Sequence, residues 1–396
     1  MTLIFSRLFQ NAWLLSISNA IAGSTLPLMH LAGTLAGSSL APSPDWATAP
    51  IALMITGTAC SVVLVSKTMQ RLGRKMGLMV FLGLGIIVCL MTITALQIGS
   101  FTLFCLASFM LGAFNATLLQ GRFAAIETLS SQHRATAASM YMGSGIIAAF
   151  VGPEIAVLGK DISNVPYQGS FMMAILCILI ACAMLTAYKP SSLAPIDITK
   201  TNHSSIDLFR NPSFCLALTS GAIAYVVMSF VMTATPISMH EIHQHSLVDT
   251  KWVIQSHIAA MFLPSFVTPL ILRCTGIRGM MALGLLLYCV AIGIGYSSTS
   301  AQSFWIQLVL LGIGWNFLFI GSTTLLPTTH SEKQRYRAQS LSDFIVFSFQ
   351  AIAALSAGWA LNLIGWKPML LVCAVPVLIM SLTMLWEKSM ISKKKR

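Results

Sequence analysis

The chain alternates long apolar runs with short loops, and its basic residues gather on one side of that alternation. Read as roughly 11–35, 49–66, 76–97, 101–127, 136–158, 169–188, 214–239, 251–272, 280–298, 304–327, 338–361 and 368–386, the runs make twelve segments. Each is long enough to cross a ~30 Å hydrocarbon core as a helix. With Met1 on the inner side, the inner segments collect nineteen Lys and Arg residues, and Arg122, near the inner end of the fourth run, makes twenty of the 23 in the chain. Only Lys160, Lys251 and Lys367 fall outside. Merging or dropping one run scrambles this asymmetry, so the positive-inside rule supports the number of spans together with cytoplasmic termini.

Composition excludes most alternatives. Hydrophobic residues make up 56% and charged residues 9%, too little polar surface to coat a soluble domain of this length. The net charge of +12 sits in short loops between apolar runs, which reads as a topology signal with attraction to anionic lipid rather than as a nucleic-acid surface. The first apolar run is long, rich in Asn and Ser and followed by further spans, so it is expected to be retained as a helix. The 9 cysteines lie within or at the ends of spans without metal-ligand spacing, and neither a disulfide nor a metal site is expected.

The chain repeats itself at an offset of about 200 residues. Leu111-Gly112-Ala113-Phe114-Asn115 answers Leu311-Gly312-Ile313-Gly314-Trp315-Asn316. Arg134-Ala135 with Ser139 answers Arg337-Ala338 with Ser342, and the loop Arg71-Leu72-Gly73-Arg74 answers Arg273 to Arg278. Together these short matches argue for two six-span halves, 1–188 and 214–388. A polar linker over 189–213 joins them, and a basic tail over 389–396 follows.

Ser66-Lys67-Thr68-Met69-Gln70-Arg71-Leu72-Gly73-Arg74-Lys75, after the second span, resembles the G-x-x-x-D-R-x-G-R-[RK] signature of the major facilitator superfamily, with Ser66 and Gln70 departing from it. Segments such as Gly121-Arg122-Phe123-Ala124-Ala125, Val231 to Pro236, Gly314 to Phe319 and Asp343 to Phe347 look like a bacterial branch of that superfamily whose members mostly lack an assigned substrate. The resemblance covers the whole chain. It implies an all-α membrane fold of twelve helices in two pseudo-symmetric six-helix bundles.

The resemblance also implies a cytoplasmic gate built on the loop of Arg71 and Gly73, with Arg74 pairing Glu127 at the inner end of the fourth span. Gln70 has no charge to offer a helix dipole, and Asp343, early in the eleventh span, is read as taking over part of that role or as a proton-coupling group. Charged side chains within the bilayer are costly and mark function or pairing. Arg122 is therefore read as a holder of an anionic substrate group or as a gate partner. Glu154, near the outer end of the fifth span and after Gly152-Pro153, is read as a proton-coupling candidate. Arg122 and Glu154 lie at opposite depths and cannot pair directly.

The first and seventh spans carry polar stripes: Ser16, Asn19, Gly23, Pro27 and His30, and Tyr225, Ser229, Thr233, Pro236 and His240. In the superfamily the first, fourth, seventh and tenth helices line the central cavity. The resemblance thus makes Asn19, His30, Asn115, Tyr225, Thr233, Trp315 and Asn316 cavity candidates beside Arg122; helix packing by small and hydroxylated residues is the competing reading. The cluster of His240, Glu241, His243, His245 and Asp249 matches no defined metal spacing, and a pH-sensitive outer gate involving His240, His257 or His30 is the other use considered for the histidines.

No phosphate loop, nucleophile elbow or zinc-protease motif is present, so neither an enzyme nor an ATP-driven pump is expected, and no cofactor. The expected function is secondary active transport of a small organic solute across a bacterial inner membrane, proton-coupled, by a monomer with lipid and protons as partners. Two directions stay open: export of amphipathic compounds, or uptake of an anionic nutrient, vitamin or metal chelate such as a siderophore. A non-transporting sensor or assembly factor with the same fold is the alternative from another class.

Overall fold

A computed structural model describes residues 9–127, 134–189, 206–331 and 334–395. The described residues are almost entirely helical, as they must be where no water is at hand to satisfy backbone N–H and C=O groups. The chain divides into two compact units, Met1–Ile196 and Asp197–Arg396. Most of the expected linker, residues 190–205, lies outside the described residues.

In the first unit the helices are α1 (Gln10–Leu40), α2 (Ala49–Leu72), α3 (Arg74–Ile98), α4 (Phe101–Glu127), α5 (Arg134–Gly159) and α6 (Gln168–Thr186). The second unit holds α7 (Pro212–Ile242), α8 (247–275), α9 (277–297), α10 (Ala301–Thr328), α11 (Arg335–Ile364) and α12 (366–395). Among the described residues, eleven helical segments are long and apolar enough to cross a membrane by themselves. The twelfth expected crossing, α8, is discontinuous: its regular helix Leu247–Phe262 gives way to a 3-10 turn, Leu263–Phe266, before helix resumes at Thr268. Pro264 lacks a backbone N–H and interrupts the α-ladder there. Expected and observed spans otherwise agree to within a few residues, except that the basic segment 389–395 continues α12 as helix.

Gly73 and Gly276 separate α2 from α3 and α8 from α9, with φ of 79° and 68°. Side-chain-bearing residues rarely adopt this conformation, so the duplicated Gly sets the same reversal in both units. Capping follows ordinary chemistry: Asn211 accepts a bond from the Ser213 N–H ahead of Pro212, and Ser246 and Ser300 cap α8 and α10.

Packing within the units repeats. In the first, α2 lies on α4, α1 on α5 and α6, and α3 on α4 and α6. In the second, α8 lies on α10, α7 on α11 and α12, and α9 on α10 and α12. The matched Gly112 and Gly312 explain one repeated contact. A Cβ on Gly112 would sit 2.3 Å from the Thr58 backbone nitrogen, and one on Gly312 would sit 2.6 Å from the His257 carbonyl oxygen. Both glycines let the fourth helix of their unit touch the backbone of the second.

The first helix of each unit is widened by a π turn. In α1 it spans Met29–Gly33 and contains His30, and in α7 it spans Ile237–Ile242 and contains His240. Pro27 and Pro236 lie just ahead of these turns. π turns recur at functional sites, and here the same irregularity appears twice.

Candidate functional site

In the first unit a polar node joins α1, α4 and α5. The Tyr141 hydroxyl lies 2.8 Å from Asn19 Oδ1 and 2.6 Å from the Leu118 carbonyl oxygen, so its proton is shared between two acceptors. Asn19 Nδ2 donates to Ser144 Oγ at 2.8 Å, and Ser144 Oγ donates to the Tyr141 carbonyl at 2.6 Å. Gly121 makes room for the phenol: a Cβ there would come within 2.1 Å of the Tyr141 oxygen. Arg122 follows this glycine on α4 and is half-buried. The structure thus joins Asn19 to Tyr141 and Ser144, residues absent from the sequence-based site, while Arg122 adjoins the glycine that seats the phenol.

Asn115 stands elsewhere on α4, where its Nδ2 donates to Thr58 Oγ1 of α2 at 3.1 Å. Its counterpart Asn316 behaves alike: Nδ2 donates to the Met261 carbonyl and to Ser265 Oγ, at 2.7 and 2.8 Å, across the break in α8. Both amides tie the fourth helix of a unit to the second. Thr233 is buried at 2% exposure within α7. His30 is half-buried in its π turn, and its carbonyl accepts a bond from Thr34 Oγ1. Glu154 is half-buried on α5, and Asp343 is exposed on α11.

Arg74 and Glu127 are joined by two hydrogen bonds, Nε to Oε2 at 3.0 Å and Nη2 to Oε1 at 2.6 Å. Arg71 and Gly73 are exposed at this end of α2. At the corresponding joint of the second unit, Arg278 holds Glu387, a pairing for which the sequence reading named no acid. Glu387 lies just past the expected end of the last span.

In the second unit α7, α10 and α11 contribute an aromatic cluster. Trp315 and Phe319, one turn apart on α10, stack with centroids 4.8 Å apart and planes 10° from parallel. Tyr225 stands nearly perpendicular to both rings, at 5.3 and 5.8 Å, and Phe347 approaches Tyr225 at 6.0 Å. Sequence reasoning named Tyr225 and Trp315 but missed Phe319 and Phe347. Spacing held the signal, since Phe319 follows Trp315 and Phe347 follows Asp343 by four residues, on a shared helix face.

The histidine-rich loop after α7 is bound to the backbone. His240 Nδ1 donates to the His245 carbonyl, His243 Nδ1 to the Ser238 carbonyl and His245 Nε2 to the Thr299 carbonyl, at 3.0, 2.8 and 2.8 Å. Among the described residues, no three His, Cys, Asp or Glu side chains come together as a metal site.

The family model for the Major Facilitator Superfamily matches residues 8–263 and 217–396. The chain belongs to the major facilitator superfamily. Among its superfamily relatives, the riboflavin transporter RfnT of Brucella anthropi is 32% identical over 361 residues, covering 90% of each chain. The MFS-type transporter YddS of Bacillus subtilis is 31% identical over 374 residues, covering 89% of this chain and 83% of its own. The superfamily fold is seen again in solved structures. The nucleoside transporter NupG superposes with a TM-score of 0.69 at 13% identity, covering 96% of this chain and 99% of its own. The human organic anion transporter MFSD10 gives 0.67 at 12%, covering 96% and 100%. This chain is a multi-pass membrane transporter of that superfamily, and not an enzyme.

Proposed function

We propose that this protein is a secondary active transporter for riboflavin or a closely similar flavin, working by alternating access in a bacterial inner membrane. The observation that carries this reading is the 32% identity to a riboflavin transporter over 90% of both chains. It favours the vitamin among the small organic solutes expected from sequence. The excess of Lys and Arg in alternate loops supports cytoplasmic termini. Arg74 with Glu127 is the inner gate of this reading, and Glu154 and Asp343 are its proton-coupling groups.

The test is flux. Proteoliposomes holding the purified protein and unlabelled riboflavin inside should take up labelled riboflavin by counterflow. An inward proton gradient should raise the accumulated amount. Liposomes that take up no label above protein-free controls, with the protein shown to be inserted and folded, would end the flavin assignment.

A further inference from the structure

The aromatic cluster of the second unit differs from an ordinary packed core in two ways. Its rings share one face that is not closed over: Tyr225, Phe319 and Phe347 are each only partly buried, while Trp315 beneath them has 5% exposure. The second difference concerns a donor. The indole N–H of Trp315 is buried and finds no acceptor among the described residues. A phenylalanine would fill that space without leaving a buried donor unpaired, which is the costly outcome for a polar group removed from water. The cost is recovered when an arriving molecule supplies an acceptor.

The rings restrict which molecule that is. Trp315 and Phe319 form a near-parallel pair with Tyr225 set edge-on to it, the offset and perpendicular arrangements that aromatic quadrupoles favour. A flat conjugated ring extends such an arrangement, and an aliphatic or globular solute does not. Combined with one in-plane donor, the surface selects a planar heteroaromatic ring that carries carbonyl oxygens or unprotonated nitrogens in its plane. Phenylalanine side chains alone would take any flat hydrocarbon; the indole adds the preference for a heterocycle.

We propose that Tyr225, Trp315, Phe319 and Phe347 form the subsite that receives the heteroaromatic ring of the substrate, with the Trp315 N–H donating to an acceptor of that ring. The inference rests on the flavin reading above and assigns the recognition of the ring, as opposed to the sugar-alcohol chain, to the second unit. Binding adds a further ring to this arrangement, and the N–H is satisfied in the loaded protein.

The experiment uses the full-length protein in detergent, titrated with riboflavin and with lumiflavin, which keeps the isoalloxazine ring and lacks the ribityl chain. Flavin fluorescence, quenched by stacking, reports occupancy. The wild-type protein is expected to bind and quench both compounds. Trp315→Phe keeps a stacking ring and removes only the donor, and should weaken both compounds by about tenfold, the ratio a lost hydrogen bond of ordinary strength produces. Phe347→Leu should weaken both and restore part of the fluorescence. Gel filtration and thermal unfolding establish that each variant is folded. Riboflavin binding that persists while lumiflavin is ignored, or affinities unchanged in both variants, would overturn the subsite and leave the flavin assignment standing. Binding of neither compound by the wild-type protein would remove both.

Discussion

Arg278 holds both carboxylate oxygens of Glu387, at 2.9 and 2.5 Å, and the Glu387 side chain has no solvent exposure. Ser213 Oγ of α7 adds a third bond to the same carboxylate at 2.8 Å. Arg278 comes two residues after Gly276. In the first unit, Lys75 comes two residues after Gly73 and donates to the Thr186 carbonyl at the end of α6. The duplicated joint therefore clamps the last helix of its own unit in both cases. They differ one residue earlier, where Arg74 reaches Glu127 and the second unit has Ile277.

Removing Arg278 should destabilise the protein more than neutralising its partner. Arg278→Ala strands a buried carboxylate and is expected to cost about 2 kcal/mol, the scale for hydrogen bonds to charged groups. Glu387→Gln keeps an acceptor for Ser213 and should cost less. The double variant with Glu387→Ala should recover part of the loss, because no buried charge then lacks a partner. Thermal unfolding in detergent measures all three.

The Arg74–Glu127 pair behaves differently, because its side chains are 25% and 42% exposed. Solvent-exposed pairs contribute less than about 1 kcal/mol, so charge reversal at either residue should scarcely change unfolding. Transport should fall, and reversing both charges together should restore part of it. A folded double variant without any recovery counts against a gate formed by this pair.

Gly112→Ala and Gly312→Ala should each destabilise by about 1–3 kcal/mol, the usual consequence of overpacking. The atoms met are backbone and cannot turn aside. Gly83 and Gly293 have nothing within 4 Å of the Cβ position. Alanine at those two sites should be neutral or stabilise by up to about 1 kcal/mol through helix propensity. Unfolding temperatures of the four variants provide the comparison.

Arg122→Ala should weaken substrate binding, and Arg122→Lys should retain part of the affinity, since lysine keeps hydrogen-bond donors for a neutral flavin and loses the planar fork. Lumiflavin binding should be unaffected by either change if Arg122 addresses the part of the substrate beyond the ring. Equilibrium titration with both flavins checks this, and unchanged riboflavin affinity in both variants rejects the role.

If Glu154 and Asp343 couple transport to protons, Glu154→Gln and Asp343→Asn should abolish accumulation driven by a proton gradient while leaving counterflow in place. Counterflow needs only the loaded carrier to reorient. Loss of both activities by equal factors would point to a structural role instead.

The fold was legible in the sequence because a bilayer leaves few alternatives: apolar length sets each helix and the placement of Lys and Arg sets their alternation. The break in α8 was not, because apolar length alone set that span and Pro264 within it was passed over. The duplicated Gly112/Asn115 and Gly312/Asn316 stood out as a repeat, and the geometry shows what it preserves: a glycine contact and an amide tie between the same pair of helices. Tyr141 was missed because an aromatic residue in an apolar helix reads as packing until its hydroxyl partners are seen. Glu387 was missed because it lies just past the expected end of the last span, next to basic residues.

The wide turns of α1 and α7 have a geometric consequence. A π turn accommodates one residue more than the α-ladder needs, and that surplus can be handed along a helix one hydrogen bond at a time. Each hand-over moves the intervening residue by about 1.5 Å and swings its side chain through about 100°. His30 and His240 stand inside these turns, so each can change the direction it faces while the rest of its helix keeps its seat.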